Sequence, residues 1–289
     1  PQNPKVMVRI AENQNDIAPG FYSTDGGKTW TKMANTAGGK AAITQLDKDT
    51  YRIFLGKKDS GDLSYSDDWG QTWNACTALG TGGASGTVAL SANGSTMLWA
   101  PNSTKAETYV SNDNGKTWYV ANGLGYQPKM AADKVNPSKI YAACGGQVFA
   151  SEDGGFNFAP TGALVSDTTT LYTVDGREGH VWALSGSIIM FSQDGGKTFE
   201  NLKNFNARAM GFGAPKNAGD YPVLYAMGSS DNVNGIFRSA DQGKTWQRIN
   251  DDKHQFGNIT PYICGDGSVY GKVYFATNGR GIVMGDIAE

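Results

Sequence analysis

The chain has 289 residues, among them 39 glycines and 7 tryptophans, and its formal net charge at neutral pH is −2. Acidic and basic residues nearly balance, which argues against nucleic-acid binding because that function needs a basic excess or a basic patch. No apolar run approaches the roughly 18 residues of a membrane-spanning helix. The three cysteines fit neither a disulfide framework nor a metal site with Cys-x-x-Cys spacing.

The predicted secondary elements are all short β-strands. In chain order, runs of β-branched and aromatic residues occupy 5–10, 20–23, 52–55, 108–111, 129–132, 139–143, 148–151, 180–184, 223–227, 259–264, 272–276 and 281–286. Clusters of Gly, Asn, Asp and Ser separate these runs, as turns separate strands. No stretch of 11 or more residues keeps a helical period, so the sequence predicts an all-β chain.

A motif of the form Ser-x-Asp-x-Gly-x-Thr-Trp, which we call the box, occurs six times. The first copy is 23–30 and the last is 239–246, while the fourth and fifth copies end in Phe. The box aspartates, 40 to 47 residues apart, are Asp25, Asp68, Asp113, Asp153, Asp194 and Asp241. Repeats of about 40–45 residues with four strands each are typical of β-propeller blades.

The number of repeats predicts the number of blades. Six boxed repeats and a further set of strands after the last box predict a single seven-bladed β-propeller domain over residues 1–289. The first repeat lacks an inner strand and the last lacks a box, so we expect incomplete terminal blades. Either the two ends share one blade, or strands are missing from both.

Six regularly spaced carboxylates invite a catalytic interpretation, because paired carboxylates cleave glycosides. A local role explains all six copies better. An Asp in a tight turn accepts backbone hydrogen bonds, a Gly two positions later supplies positive φ, and the Trp packs between blades. We therefore assign the box aspartates to the turns, and expect the function at the opposite edge, where the loops are longer.

The loops of that opposite edge are rich in Asn, Gln, Asp and Gly, with aromatic residues close by. Such a mixture suits sugar binding, because aromatic faces stack on pyranose rings and amides pair with hydroxyls. The candidate sugar contacts are Asn13, Asn15, Trp99, Tyr126, Trp182, His254 and Gln255. Trp99 and Trp182 fit the core of a central strand equally well, and His254 fits a hydrogen bond to a neighbouring turn. With two histidines in the chain, we predict no metal site and no cofactor.

The boxes resemble the Asp-box repeats of sialidases, of the sortilin ectodomain and of glycoside hydrolase family 74. Two stretches, 237–259 and 273–282, look like the penultimate and last blades of family 74 xyloglucanases, and 132–142 and 148–155 fit the same family in the same order. The resemblance implies the C-terminal one of two seven-bladed propellers. In that family a glucan lies in the cleft between the propellers, and one aspartate from each performs an inverting hydrolysis.

One departure from the family concerns catalysis. The family places its second-propeller aspartate in a Gly-Asp-x-x-Gly-Phe stretch, which this sequence lacks; the stretches that begin at Gly61 and Gly265 continue differently. We therefore assign no catalytic residue and predict that the chain is inactive alone.

The resemblance implies recognition of a xyloglucan-type β-glucan by one half of an endo-β-1,4-glucanase, which forms one wall of the cleft. The implied partners are the polysaccharide and a second propeller of the same parent chain. No leader precedes Pro1, so a signal peptide has been removed or was never present. The substrate class favours an extracellular location.

Two alternatives belong to other classes of protein. A non-catalytic propeller that binds carbohydrate or another protein fits the absence of the catalytic stretch. A sialidase fits poorly, because 51–54 lacks the proline of an Arg-Ile-Pro signature and follows the first box. A sialidase also needs three arginines that converge on one carboxylate.

Overall fold

The computed structural model describes residues 3, 5–10, 20–34, 38–58, 60–80, 86–254, 259–277 and 281–287, with the backbone alone for 259–261. Every regular element within these ranges is a β-strand, which confirms the all-β prediction. The same ranges contain no helix that is long and apolar enough to cross a membrane.

The first four sheets contain three or four strands each. The first contains β1 (Met7–Ile10), β2 (Gly20–Ser23) and β3 (Thr31–Lys32). The second contains β4 (Gly39–Gln45), β5 (Tyr51–Lys57), β6 (Leu63–Ser66) and β7 (Asn74–Ala75). The third contains β8 (Thr87–Leu90), β9 (Met97–Ala100), β10 (Tyr109–Ser111) and β11 (Tyr119–Val120). The fourth contains β12 (Lys129–Ala132), β13 (Ile140–Cys144), β14 (Gln147–Ser151) and β15 (Ala159–Leu164).

Two further sheets complete the described strands. The fifth contains β16 (Thr170–Val174), β17 (Arg177–Ser185), β18 (Ile188–Ser192), β19 (Glu200–Gly213), β20 (Val223–Ser230), β21 (Val233–Ser239) and β22 (Gln247–Arg248). The sixth contains β23 (Ile259–Gly265), β24 (Val273–Thr277) and β25 (Gly281–Gly285). Strands that follow one another in the chain are neighbours in every sheet.

The expected count of seven separate blades is wrong for the described strands, which form six sheets. The reason is β19, which runs from one expected blade into the next without a loop between them. Its first half pairs with β18 up to Asn206, and from Asn206 onward it pairs with β20, with a register shift between Ala207 and Ala209. One seven-stranded sheet therefore stands where two blades were expected, and the first and last sheets have three strands each.

The chain divides into two compact units. One comprises Pro1–Val181 and Ser192–Thr198, and the other comprises Trp182–Phe191 and Phe199–Glu289. The single domain expected from the sequence stays a prediction.

Consecutive sheets pack face to face within each unit. In the first unit, Leu98 and Val110 of the third sheet form a buried cluster with Ile140 and Ala142 of the fourth. In the second unit, Tyr225 of the fifth sheet joins a similar cluster with residues of the sixth. Because the strands in the middle of a stack are covered on both faces, they are apolar without alternation, as in β9, where all four residues are buried.

Each box turn is organised by its first residue, a buried serine. The serine hydroxyl donates to Oδ1 of the box aspartate at 2.7–2.9 Å in all six copies. The same oxygen accepts the backbone N–H of the glycine four positions on, at 2.8–2.9 Å. The serines are Ser23, Ser66, Ser111, Ser151, Ser192 and Ser239. One hydroxyl thus joins both ends of each turn.

The box aspartate completes the turn on its other side. In every copy its Oδ1 accepts the backbone N–H of the residue four positions on, at 2.9–3.0 Å. In the fourth copy that residue is Asn157 instead of Thr, and its Nδ2 donates to Oδ2 of Asp153 at 2.7 Å. The amide therefore replaces the hydroxyl that binds this oxygen in most of the other copies, such as Thr29.

The box glycine also makes room for the preceding sheet. Gly115 has φ of 74° and Gly155 has φ of 96°, in the left-handed region that glycine adopts without strain. A Cβ at Gly115 would collide with Cys76, and one at Gly155 would collide with Leu98. Each of these turns lies directly against a side chain of the sheet before it.

The buried side chain of Arg52 links the second and third sheets. Its Nε and Nη2 donate to the two carboxylate oxygens of Asp67 at 2.8 and 2.7 Å, and its Nη1 donates to Oδ1 of Asn114 at 2.6 Å. Asn114 belongs to the third box and has φ of 64°. The hydrogen bond from Arg52 to Asp67 raises the pKa of the arginine, so this two-point ion pair stays charged.

The box tryptophans are less buried than core residues. Trp118 is half-buried and stacks on Phe54 of the preceding sheet with ring centroids 6.3 Å apart. Trp30 is 37% exposed, and its indole N–H donates to Gly27 O within its own turn. The predicted packing between sheets therefore holds for Trp118 but not for Trp30.

This difference predicts unequal effects of truncation. Trp118→Ala should lower the free energy of unfolding by about 2–3 kcal/mol, less than a fully buried Trp, because the ring is only partly buried. Trp30→Ala should cost about 1 kcal/mol or less, as for a surface substitution. Urea unfolding of both variants tests this expectation, and equal losses would contradict it.

The box aspartates also predict a response to acid. Burial raises the pKa of Asp194, but hydrogen bonds from Thr198 and Ser192 outweigh burial and lower it to about 2. A carboxyl whose pKa is depressed in the folded state contributes stability above its ordinary value of 3.8, and that contribution is lost as the pH falls toward about 2. The unfolding free energy should therefore fall across this window. Asp194→Asn should flatten the fall, and a slope equal to that of the wild type would contradict the assignment.

Candidate functional site

The edge opposite the boxes carries the candidate site. In the third sheet, 101–108 connects β9 to β10 at this edge, and 121–128 connects β11 to the fourth sheet. Both segments lie in the first unit, and they meet through side chains.

Tyr126 is exposed in the second of these segments, with 51% of its surface accessible. Its carbonyl oxygen accepts the thiol of Cys144 at 3.4 Å. The next residue, Gln127, has φ of 55° and donates from Nε2 to Oδ1 of Asn102 at 2.8 Å. These two segments therefore contain an exposed aromatic ring and two exposed side-chain amides, groups that suit an uncharged polyhydroxylated ligand.

The structure corrects two predicted sugar contacts, Trp99 and Trp182. Trp99 is 1% exposed on β9, in a cluster with Phe54 and Leu63. Trp182 is completely buried on β17; its indole N–H donates to Tyr221 Oη at 3.0 Å, and its ring stacks on Phe191 with centroids 4.3 Å apart. Both rings fill the interior, so neither offers a face to a sugar.

His254 lies in the second unit and is exposed. Its Nδ1 is 2.6 Å from Oδ1 of Asp251, which also accepts the backbone N–H of His254 at 2.9 Å. The hydrogen bond from His254 lowers the pKa of Asp251. The ring therefore binds its own turn, whereas the alternative considered from the sequence was a neighbouring turn. Three other predicted contacts, Asn13, Asn15 and Gln255, lie outside the described residues.

A cavity of about 530 Å³ adjoins His254 in the second unit. Ile249, Phe275 and Val283 form its apolar part. Arg248 lies at its polar side, where its Nη2 is 2.8 Å from the exposed carboxylate of Asp252. The cavity lies between the facing surfaces of the fifth and sixth sheets, which supply these residues.

Two buried carboxylates, Asp133 and Asp266, were not predicted from the sequence. Asp133 accepts the backbone N–H of Val135 at 2.8 Å and the hydroxyl of Tyr141 at 3.2 Å. Asp266 accepts Ser268 N–H at 2.8 Å and the hydroxyl of Tyr274 at 3.1 Å. Asp133 stabilises the turn between β12 and β13, and Asp266 stabilises the turn between β23 and β24. The signal that they share in the sequence is a Tyr eight residues after the Asp.

Neither buried carboxylate is a candidate acid or base, because each is occupied by structural hydrogen bonds; Oδ2 of Asp133 also accepts the backbone N–H of Gly179 on β17 at 2.9 Å. The described residues also contain no group of three or more His, Cys, Asp or Glu that could hold a metal ion.

Comparisons with known proteins agree with these features. The BNR/Asp-box repeat family matches residues 21–32 and 109–120. Xyloglucanase Xgh74A of Acetivibrio thermocellus is 42% identical over 80% of this chain and 28% of its own length. The oligoxyloglucan-reducing end-specific xyloglucanase of Emericella nidulans is 30% identical over the whole of this chain and 35% of its own length.

A solved structure confirms the fold class. The GH74 xyloglucanase from Xanthomonas campestris superposes with a TM-score of 0.79 at 28% identity, over 98% of this chain and 43% of that one. The six boxes and their antiparallel sheets define an Asp-box β-propeller.

Within that class, the chain belongs to glycoside hydrolase family 74, the family of the xyloglucanases. It spans between about a quarter and less than half of the length of the relatives it matches.

Proposed function

We propose that this chain recognises a β-glucan of the xyloglucan type as one part of a longer family 74 hydrolase. The observation that carries the proposal is its similarity to xyloglucanases, at 42% identity to one relative and along the whole chain to another. The parent protein is an extracellular endo-β-1,4-glucanase that inverts the anomeric carbon. Such a reaction uses an acid and a base roughly 6.5–9.5 Å apart, one of them supplied by a second propeller.

The loop edge around Tyr126 forms one wall of the substrate cleft. Its exposed ring and neighbouring amides are uncharged, as a neutral glucan requires. Asn13, Asn15, His254 and Gln255 remain proposed contacts.

A non-catalytic binding propeller is the second candidate. It is favoured by the role of the conspicuous carboxylates, since the box aspartates and both buried aspartates are occupied by structural hydrogen bonds. The two candidates agree that the isolated chain binds but does not cleave.

We expect the 289-residue chain to be retarded in gels that contain xyloglucan and to release no reducing ends from it. A gel with dextran in place of xyloglucan serves as the control for non-specific retardation. Release of reducing ends would contradict the prediction that the chain is inactive alone. Equal mobility in the two gels would contradict glucan recognition.

A further inference from the structure

Gln127 has a backbone conformation that its own segment does not explain. Six described residues other than glycine have positive φ. Three of these, Trp69, Asn114 and Gln242, precede a box glycine, and two, Asp231 and Asn232, form the tight hairpin turn between β20 and β21, which needs this conformation. Gln127 belongs to neither class, and it precedes Pro128, a position that favours an extended backbone.

Contacts from two sheets fix this conformation. The amide of Gln127 donates to Asn102, which follows β9 of the third sheet. The carbonyl of Tyr126 accepts the thiol of Cys144, at the end of β13 in the fourth sheet. An unfavourable backbone conformation that is held from two sides is typical of functional sites. The exposed Tyr126 directly precedes the residue that is held in this way.

The hydrogen bond between the two amides leaves one acceptor and one donor for a ligand. It uses Nε2 of Gln127 and Oδ1 of Asn102. Among the described residues, no further hydrogen bond occupies Oε1 of Gln127 or Nδ2 of Asn102. Oε1 of Gln127 can accept from one sugar hydroxyl and Nδ2 of Asn102 can donate to another, because a hydroxyl both donates and accepts.

We propose that Tyr126 is a stacking platform for one uncharged sugar unit, and that Asn102 and Gln127 are positioning residues that hold the platform and bind the hydroxyls of that unit. This inference rests on the proposed function and adds to it a specific subsite. Neutral amides bind hydroxyls without needing a charge on the ligand, so the subsite suits neutral glucosyl or xylosyl units.

The test measures the affinity of the full chain for xyloglucan oligosaccharides by calorimetry. Tyr126→Ala should weaken binding about tenfold, and Tyr126→Phe should restore it because the ring remains. Tyr119→Ala is the matched control, because Tyr119 is also 51% exposed but lies on β11, and it should leave the affinity unchanged.

Asn102→Asp separates sugar binding from structural support. It keeps an acceptor for Gln127 but removes the donor that faces the ligand, so the affinity should fall about three- to tenfold without a change in thermal stability. Gln127→Gly removes the backbone strain at positive φ but also removes the side-chain amide. It should therefore weaken the binding of xyloglucan oligosaccharides while the free energy of unfolding stays the same or rises.

The affinities distinguish a failure of the subsite from a failure of the proposed function. If the wild type binds and both Tyr126→Ala and Asn102→Asp keep the wild-type affinity, the subsite is wrong and the proposed function stands. If the wild type binds no xyloglucan oligosaccharide, the proposed function fails and the subsite fails with it.

Discussion

The buried hydroxyl of the box serine is the interaction on which the rest of the structure depends. It donates to the aspartate and accepts from the glycine, so a single oxygen closes a turn of five residues. An unpaired buried N–H is costly, and this turn would otherwise contain one. Because the same arrangement recurs six times, successive strand pairs are held by the same geometry although their other side chains differ.

Each closed turn then becomes a contact surface for the sheet before it. Cys76 packs where Gly115 lacks a side chain, and Leu98 does so at Gly155. The guanidinium of Arg52 reaches from the second sheet to Asn114 in the third box. Each box therefore specifies its own turn and also the packing of that turn on the preceding sheet. The loops at the opposite edge take no part in these contacts and can vary.

The sequence predicted those features that depend on local chemistry. Strand content, the box turns and the family follow from residues within a few positions of one another, as with Ser111, Asp113 and Gly115. The burial of Trp99 and Trp182 depends on which sheets cover their strands, and composition does not contain that information. The bond between Gln127 and Asn102 joins residues 25 positions apart, so no local pattern predicts it. The sequence does contain one signal near it, a proline directly after Gln127.

The continuous strand β19 affects how this chain tolerates change. Elsewhere, loops separate the sheets, and an insertion there lengthens a surface segment at small entropic cost. One residue added near the start of β19 would turn every following side chain to the opposite face. The buried residues Phe205 and Met210 would then be misplaced. Natural length variation should therefore be concentrated in the loops between sheets and be absent from 200–213. Because β19 pairs with both β18 and β20, a change that disrupts it should disrupt the pairing on both of its sides.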